Sequence, residues 1–372
     1  MARRETLLDL LDRLAPDVRD AFVQSIARVT GQVQLRALED AIARGDVNAV
    51  LQMLDLDRSY FAPLDRAFSD AYVQAGDWTM EELARQAKAQ GVKVFGFFDG
   101  RNVRAERFLT EQSSRLITGP DGLMDDIREN VRRVLTGGME VGTSPRTAAL
   151  NLVGRINRAT GRREGGVIGL SARDMEQADS VYSILTDPDG PRSYFVKDRK
   201  TGRWKPRYKG TDRQFDSKII KAIEEGKPLS KADAQAITQR YRNRLLKDRG
   251  ETIARTELLG SVHHAQNEGL RQMVDSGRVQ ADAISREWDA SEDSATRSSH
   301  RALDGEKVIG PDGVFTTING ARMRFPGDRS LGAPGSEIVQ CRCAIRTRID
   351  FTKGLRDQLT PEELARARSA MV

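Results

Sequence analysis

Residues 251–275, ETIARTELLGSVHHAQNEGLRQMVD, set the reading of this chain. Ala254, Leu258, Val262, Ala265, Gly269 and Met273 recur at the spacing of one helical face, which predicts a helix from about Thr252 to Asp275 docked through that stripe. Glu257, Ser261, His264 and Glu268 fall on a second, polar face, and Arg255 points elsewhere than Glu257. Two uses of this arrangement stand open. Arg255 and Glu257 anchor opposite sides of a polar core, or the helix has a plain solvated back, the reading preferred for His263 and His264.

Outward from that helix, the chain gathers its scarce ligand types. All three histidines (His263, His264 and His300) and both cysteines (Cys341 and Cys343) lie in the last third. Asp293, Arg297, His300 and Asp304 are spaced four, three and four apart, which puts them on one face if that segment is helical. A carboxylate beside an imidazole fixes the ring's tautomer and orientation, as a metal-bound histidine needs and as a buried structural histidine equally needs. EIVQCRCAIRTRI, residues 337–349, alternates like a strand, with Cys341, Cys343, Ile345 and Thr347 facing one way. Two cysteines one residue apart are poor disulfide partners and read as reduced thiols or metal ligands. His300, Cys341 and Cys343 are therefore the candidate metal ligands, with Asp293 or another oxygen as a fourth, and zinc is the metal that such a set suits. Against zinc stand a spacing unlike the usual CxxC knuckle and the ordinary use of thiols as core filler.

The order of these pieces resembles a known family. IARTE, HHAQNEG, WDASEDSATRSSHRALDGEKV, FPGD and EIVQCRC follow one another as in the phage Mu-F-like head morphogenesis proteins. The matching positions are Arg255, Thr256, Glu257, Asn267, Gly269, Trp288, Asp293, Arg297, His300, Gly305, Pro326, Asp328, Cys341 and Cys343. Arg255, Glu257, Trp288, Asp293, Arg297 and His300 form the polar cluster of that signature. The resemblance implies a minor head protein that accompanies the portal and acts in head assembly alongside capsid and scaffold components. It further implies a place inside the virion head, near the portal, after assembly in the bacterial host cytoplasm, and a hand in managing packaged double-stranded DNA.

Upstream, helical spacing runs through Leu7, Leu8, Leu11 and Leu14, through Phe22, Ile26 and Val29, and through Val33, Leu35, Leu38 and Ile42. VFGFFDGRNVRAERFLTEQSSRLIT reads as an extended piece, a turn at Asp99 and Gly100, and a helix. Thr143 or Ser144 before Pro145, and Ser171 with Asp174 three residues on, are helix starts. Pro188, Asp189, Gly190 and Pro191 break the chain. From Arg192 to Arg213, nine Lys and Arg residues stand against Asp198 and Asp212, with Tyr194, Trp204 and Tyr208 interleaved. Alternation around Thr201 and Gly202 predicts a hairpin or arm. Arg199, Lys200, Arg203, Trp204, Lys205 and Arg207 are its candidate DNA contacts, cations for phosphates and a ring for bases. A solvated loop is the competing reading.

Composition bounds the rest. The 372 residues allow two or three domains. With 60 basic and 54 acidic side chains, the net charge of +6 favours an acidic partner only modestly. No apolar run approaches the roughly 18 residues that cross a bilayer, and the motifs HExxH, GxSxG and the phosphate-binding Gly-Lys loop are absent from the sequence. The expected fold is α+β: a helical region over 1–187, a basic connector and helix over 188–250, a Mu-F-like domain over 251–350 in which one long helix packs on a few short antiparallel strands, and a short C-terminal helix or tail over 351–372. The expected function is structural rather than enzymatic. The alternatives are a sequence-independent DNA-binding protein without an assembly role, and a zinc-dependent hydrolase or nuclease using His300, Cys341 and Cys343 with Glu257 as base.

Overall fold

The computed structural model describes residues 5–94, 96–140, 142–291 and 293–353. The helix or tail expected over 351–372 therefore lies, past Lys353, outside the described residues. The N-terminal elements are α1 (Leu7–Gly31), α2 (Leu35–Ala43), α3 (Val47–Met53), α4 (Ala62–Ala89), α5 (Val103–Ile117), α6 (Leu123–Glu140), α7 (Pro145–Val153), the short strand pair β1 (Arg155–Ile156) and β2 (Arg163–Glu164), and α8 (Ala172–Thr186). The start signals act as their chemistry requires. Ser144 accepts a hydrogen bond from Thr147 N ahead of Pro145, and Ser171 and Asp174 form a reciprocal capping box. The two apolar patterns read separately at the N-terminus are one helix, which runs through Pro16.

After the break at Pro188–Pro191 come α9 (Pro191–Tyr194) and the antiparallel hairpin of β3 (Phe195–Lys197) and β4 (Trp204–Pro206). Then follow α10 (Asp216–Glu225) and the 45-residue α11 (Lys231–Asp275). The expected boundary between residues 250 and 251 falls inside this continuous helix. The last elements are β5 (Ile284–Asp289), α12 (Ser298–Arg301), β6 (Lys307–Ile309), β7 (Phe315–Thr316), β8 (Arg322–Met323), α13 (Gly335–Ile338) and β9 (Ala344–Ile349). β5 is the centre of an antiparallel sheet ordered β6-β5-β9. The class is α+β, a helical N-terminal region followed by a long helix and small antiparallel sheets. Among the described residues no helix is long and apolar enough to cross a membrane.

Two compact units cut across this linear order. One comprises described residues 5–18, 65–112 and 252–353, and the other residues 19–64 and 113–251. The second unit has a core of helix-borne apolar residues such as Phe22, Ile26, Leu38, Val50, Ile127, Leu152 and Val181. There Asn130 donates to the carbonyl of Leu170 at 2.6 Å, fixing the chain that enters α8.

In the first unit, α11 is covered on nearly every side. From Ile253 to Leu270 only Arg255 is exposed and His264 half-buried, so the solvated back expected of this helix does not exist. The reason is that segments far away in sequence cover it. Arg104 of α5 forks onto Glu268, with Nε 2.9 Å from Oε2 and Nη2 2.9 Å from Oε1. Gln112 donates to the Glu257 carbonyl at 2.9 Å and accepts from Ser261 Oγ at 2.9 Å. His264 meets the Tyr72 hydroxyl at 2.9 Å and stacks on Phe108 with centroids 3.8 Å apart. A helix buried all round must satisfy its polar side chains internally, and α4 and α5 supply partners for Glu268, Ser261 and His264.

Candidate functional site

The site grows from the inward face of β5. Burial alternates strictly along Ile284–Asp289 and sends Ile284, Arg286 and Trp288 into the core. The Trp288 ring meets His300 edge-on at 5.2 Å and Phe315 edge-on at 5.3 Å. His300 sits on the single turn of α12, is wholly buried, and turns Nδ1 towards the two thiols, 3.3 Å from Cys341 Sγ and 3.5 Å from Cys343 Sγ. The three ligand atoms all lie within 4.8 Å of one another.

The strand expected over the cysteines begins only at Ala344. Cys341–Cys343 instead follow α13 through Gln340, whose φ of 54° turns the chain inward. A side chain other than glycine holds that left-handed conformation at a cost, and two hydrogen bonds from α11 offset it. Thr256 Oγ1 accepts from Gln340 N at 3.1 Å, and Thr252 Oγ1 accepts from the Gln340 side chain at 3.1 Å. The threonine of the RTE sequence is thus the clip that sets CRC against the long helix.

The carboxylate beside His300 is not the one that helical spacing predicted. The segment from Asp293 to Arg297 is not helical, and Asp293 is half-exposed and paired with Arg342 at 2.6 Å. Asp304 accepts from Ala290 N at 2.8 Å. Glu337 of α13 takes the place instead: its Oε2 lies 3.1 Å from His300 Nε2, off the N–H direction, and accepts from Ser299 Oγ at 2.8 Å, while Oε1 accepts from Asn319 Nδ2 at 3.0 Å. Burial opposes ionisation of Glu337, but these hydrogen bonds and the neighbouring His300 outweigh it and hold the carboxyl below its ordinary value. Between the thiols, a hydrogen bond from Cys341 pulls Cys343 down, helped by His300, and the same bond together with burial pushes Cys341 up. Arg297 donates to the Val339 carbonyl at 2.5 Å, bracing the turn that carries both cysteines.

The remaining predicted residues are placed apart. Arg255 is exposed on α11, whereas Glu257 is buried and meets Arg329 at 3.3 Å. Burial lowers His263 to about 4 and His264 to about 3, and both serve as neutral core groups. Sequence reasoning missed Arg286. Its guanidinium reaches the carbonyls of Gly310, Arg324 and Gly313 at 2.8, 2.7 and 2.6 Å and ties the β6–β7 loop to the segment after β8. Glu337 was missed as well, although it opens the EIVQCRC run that was read as a strand.

In the other unit, the basic arm is the predicted hairpin, with Val196 opposite Lys205 and Lys197 opposite Trp204. Arg199, Lys200, Arg203, Lys205 and Arg207 are all exposed, and Trp204 retains 67% of its surface in solvent. Asp198 closes the turn: Lys205 binds it at 2.6 Å, holding its carboxyl well below the usual range, and the backbone N–H groups of Lys200 and Thr201 donate to it at 2.9 Å each. Tyr194 is buried, so of the three interleaved rings Trp204 alone stands fully out.

No curated protein and no solved structure shows significant similarity to this chain. A family comparison does. Residues 213–346, from the turn before α10 to the middle of β9, match the family described as Phage Mu protein F like protein, and the likeness is confined to that stretch.

Proposed function

We propose that this protein is a minor component of a phage head, assembling beside the portal and contacting packaged DNA through the β3–β4 hairpin. The observation that carries the assembly role is the family placement of residues 213–346. The signature residues support a structural use, because they are spent on holding segments together. Thr256 clips the CRC turn, Glu257 holds Arg329, Asp293 holds Arg342, and Arg297 holds a backbone carbonyl. The decisive measurement is the protein content of purified heads made with and without portal. Incorporation that depends on portal supports the proposal, and equal incorporation without portal removes the portal from it.

The DNA contact rests on a separate observation, the exposure of the arm's cations and of Trp204. Binding through such an arm is independent of sequence and weakens steeply with salt, since each phosphate contact releases condensed counterions. Replacing Arg199, Lys200, Arg203 and Lys205 together by Ser should flatten the salt slope by up to about four units, with the smallest share from Lys205 because Asp198 already engages it. Trp204→Ala should weaken single-stranded binding more than duplex binding. A titration at several salt concentrations in which the quadruple variant matches the parent would falsify the arm as a DNA contact. DNA binding by a protein that never enters heads would favour the second reading, a sequence-independent binder without an assembly role.

A further inference from the structure

We propose that His300, Cys341 and Cys343 bind a zinc ion, with Glu337 orienting the imidazole from its far side. The proposal is independent of the head assembly reading.

Geometry carries it first. A tetrahedral zinc bound to sulfur at about 2.3 Å and to nitrogen at about 2.0–2.1 Å holds those two atoms roughly 3.5 Å apart. The observed separations from His300 Nδ1 are 3.3 Å to Cys341 Sγ and 3.5 Å to Cys343 Sγ. The imidazole presents Nδ1 to both sulfurs at once, and its single lone pair or proton there can serve only one thiol well as a hydrogen-bond partner. A cation between the three atoms serves all of them.

The surroundings fit the charge. Two thiolates and one zinc(II) sum to zero and the imidazole is neutral, so the one charge left is the Glu337 carboxylate, which Ser299 and Asn319 hydrogen-bond. Each protonated thiol releases its proton to solvent on binding, and two Zn–S bonds and one Zn–N bond form. On the other side of the ring, Glu337 Oε2 stands 3.1 Å from Nε2 and is itself held by Ser299 and Asn319. Oε2 stands off the N–H direction, and a small rotation of the imidazole would turn this contact into the carboxylate–histidine hydrogen bond that favours the tautomer with Nδ1 free to ligate. Three protein ligands leave a fourth position, and the cavity they line together with Ser291, Thr296 and Gln340, about 10 Å³, has room for about one water to complete the tetrahedron. The ion would join α12 to the turn before β9, segments about 40 residues apart in sequence.

The test uses the full-length protein, purified reduced and without chelator, then stripped and titrated with Co(II). We expect about one zinc per chain as purified, and a cobalt complex with sulfur-to-metal charge transfer in the near ultraviolet and intense visible bands of a tetrahedral site. Glu337→Gln should keep the stoichiometry but weaken zinc binding by roughly 10–100-fold. The Cys341→Ser/Cys343→Ser double variant should lose the metal, with circular dichroism reporting whether it is folded. Less than about a tenth of an equivalent of any transition metal in the parent, together with no charge-transfer band at saturating Co(II), overturns the proposal. Full zinc retention by a folded double variant overturns it equally. The cobalt titration of the parent needs no substitution, so the proposal stays testable if the variants fail to fold.

Discussion

Arg286 and His263 show how single residues set the energetics of the C-terminal unit. Arg286 stands in an inward row otherwise held by Ile284 and Trp288, and burial lowers its guanidinium to about 10. It persists because three carbonyls accept from it. Arg286→Met leaves those carbonyls without their donor, each at a cost of about 1–3 kcal/mol, so urea denaturation should show a loss of at least about 3 kcal/mol. Arg286→Lys should restore only part of it, since one ammonium cannot span the fork. His263 tests the other kind of burial. Its Nδ1 donates to the Leu259 carbonyl at 3.0 Å, its ring lies parallel to Phe325, and no charged group contributes to its shift. Its folded value of about 4 lies below the ordinary value near 6.5, so the unfolded chain takes up a proton that the folded chain refuses. The stability it permits is fully present above pH 6.5 and declines as pH falls towards 4, by on the order of 3 kcal/mol. His263→Leu should therefore flatten the parent's stability loss over that interval while changing stability at pH 7 by less than about 1 kcal/mol. An unchanged acid profile would assign the loss to other groups, His264 or the carboxylates. Residue types were legible at this scale and roles only partly so: CRC and His300 announced a cluster, but alternation marks position 286 as apolar, and nothing in a sequence says that loops will bring carbonyls to an arginine there.

Between elements, what spacing could encode was legible and what docking decides was not. The caps at Ser144 and Ser171, the hairpin around Thr201 and Gly202 and the stripe of α11 follow from neighbours in sequence, and the structure has all of them. The Asp293–His300 face failed because that reading assumed a helix, whereas Asp293 sits in a tight turn and accepts from Ala295 N at 2.9 Å. The docking of the FPGD turn onto α11 is a further contact that spacing cannot reveal. Gly260 and Gly327 let the two backbones touch: a Cβ on Gly327 would lie 3.0 Å from Gly260 Cα, and Gly327 has φ of +88°. Neighbouring Asp328 then accepts from Arg324 N and Ser330 N at 2.9 Å each, fixing the turn. Gly327→Ala combines an unfavourable φ with a backbone contact that cannot yield, and should cost about 1–3 kcal/mol by thermal or chemical denaturation. Gly260→Ala, with 3.2 Å to the Gly327 carbonyl and an ordinary helical φ, should cost less, and the reverse order would show that the turn is not seated on the helix through these glycines.

At the scale of the whole chain, the family match and the compact units answer different questions. The match covers a continuous stretch, 213–346, because family resemblance follows sequence. The unit that holds the His–Cys cluster is discontinuous and takes in residues 65–112. Those residues are integral to it. Without them Glu268, whose side chain is fully buried, loses the guanidinium of Arg104, and His264 loses both the Tyr72 hydroxyl and the Phe108 ring. Ser261 loses its hydrogen bond to Gln112. The deletion also opens to water the surface of α11 that α4 and α5 cover, and burial of one large apolar side chain contributes about 1.5–3 kcal/mol against the roughly 5–15 kcal/mol that keeps a domain folded. A fragment spanning residues 213–353 is therefore expected to lack a cooperative unfolding transition and to bind a hydrophobic dye, although it contains the entire family match. Supplying residues 65–112 in trans, or the full chain, should restore the transition. If the fragment alone melts cooperatively with dispersed amide resonances, α11 is stable without α4 and α5, and the boundary expected near residue 251 describes an autonomous domain after all.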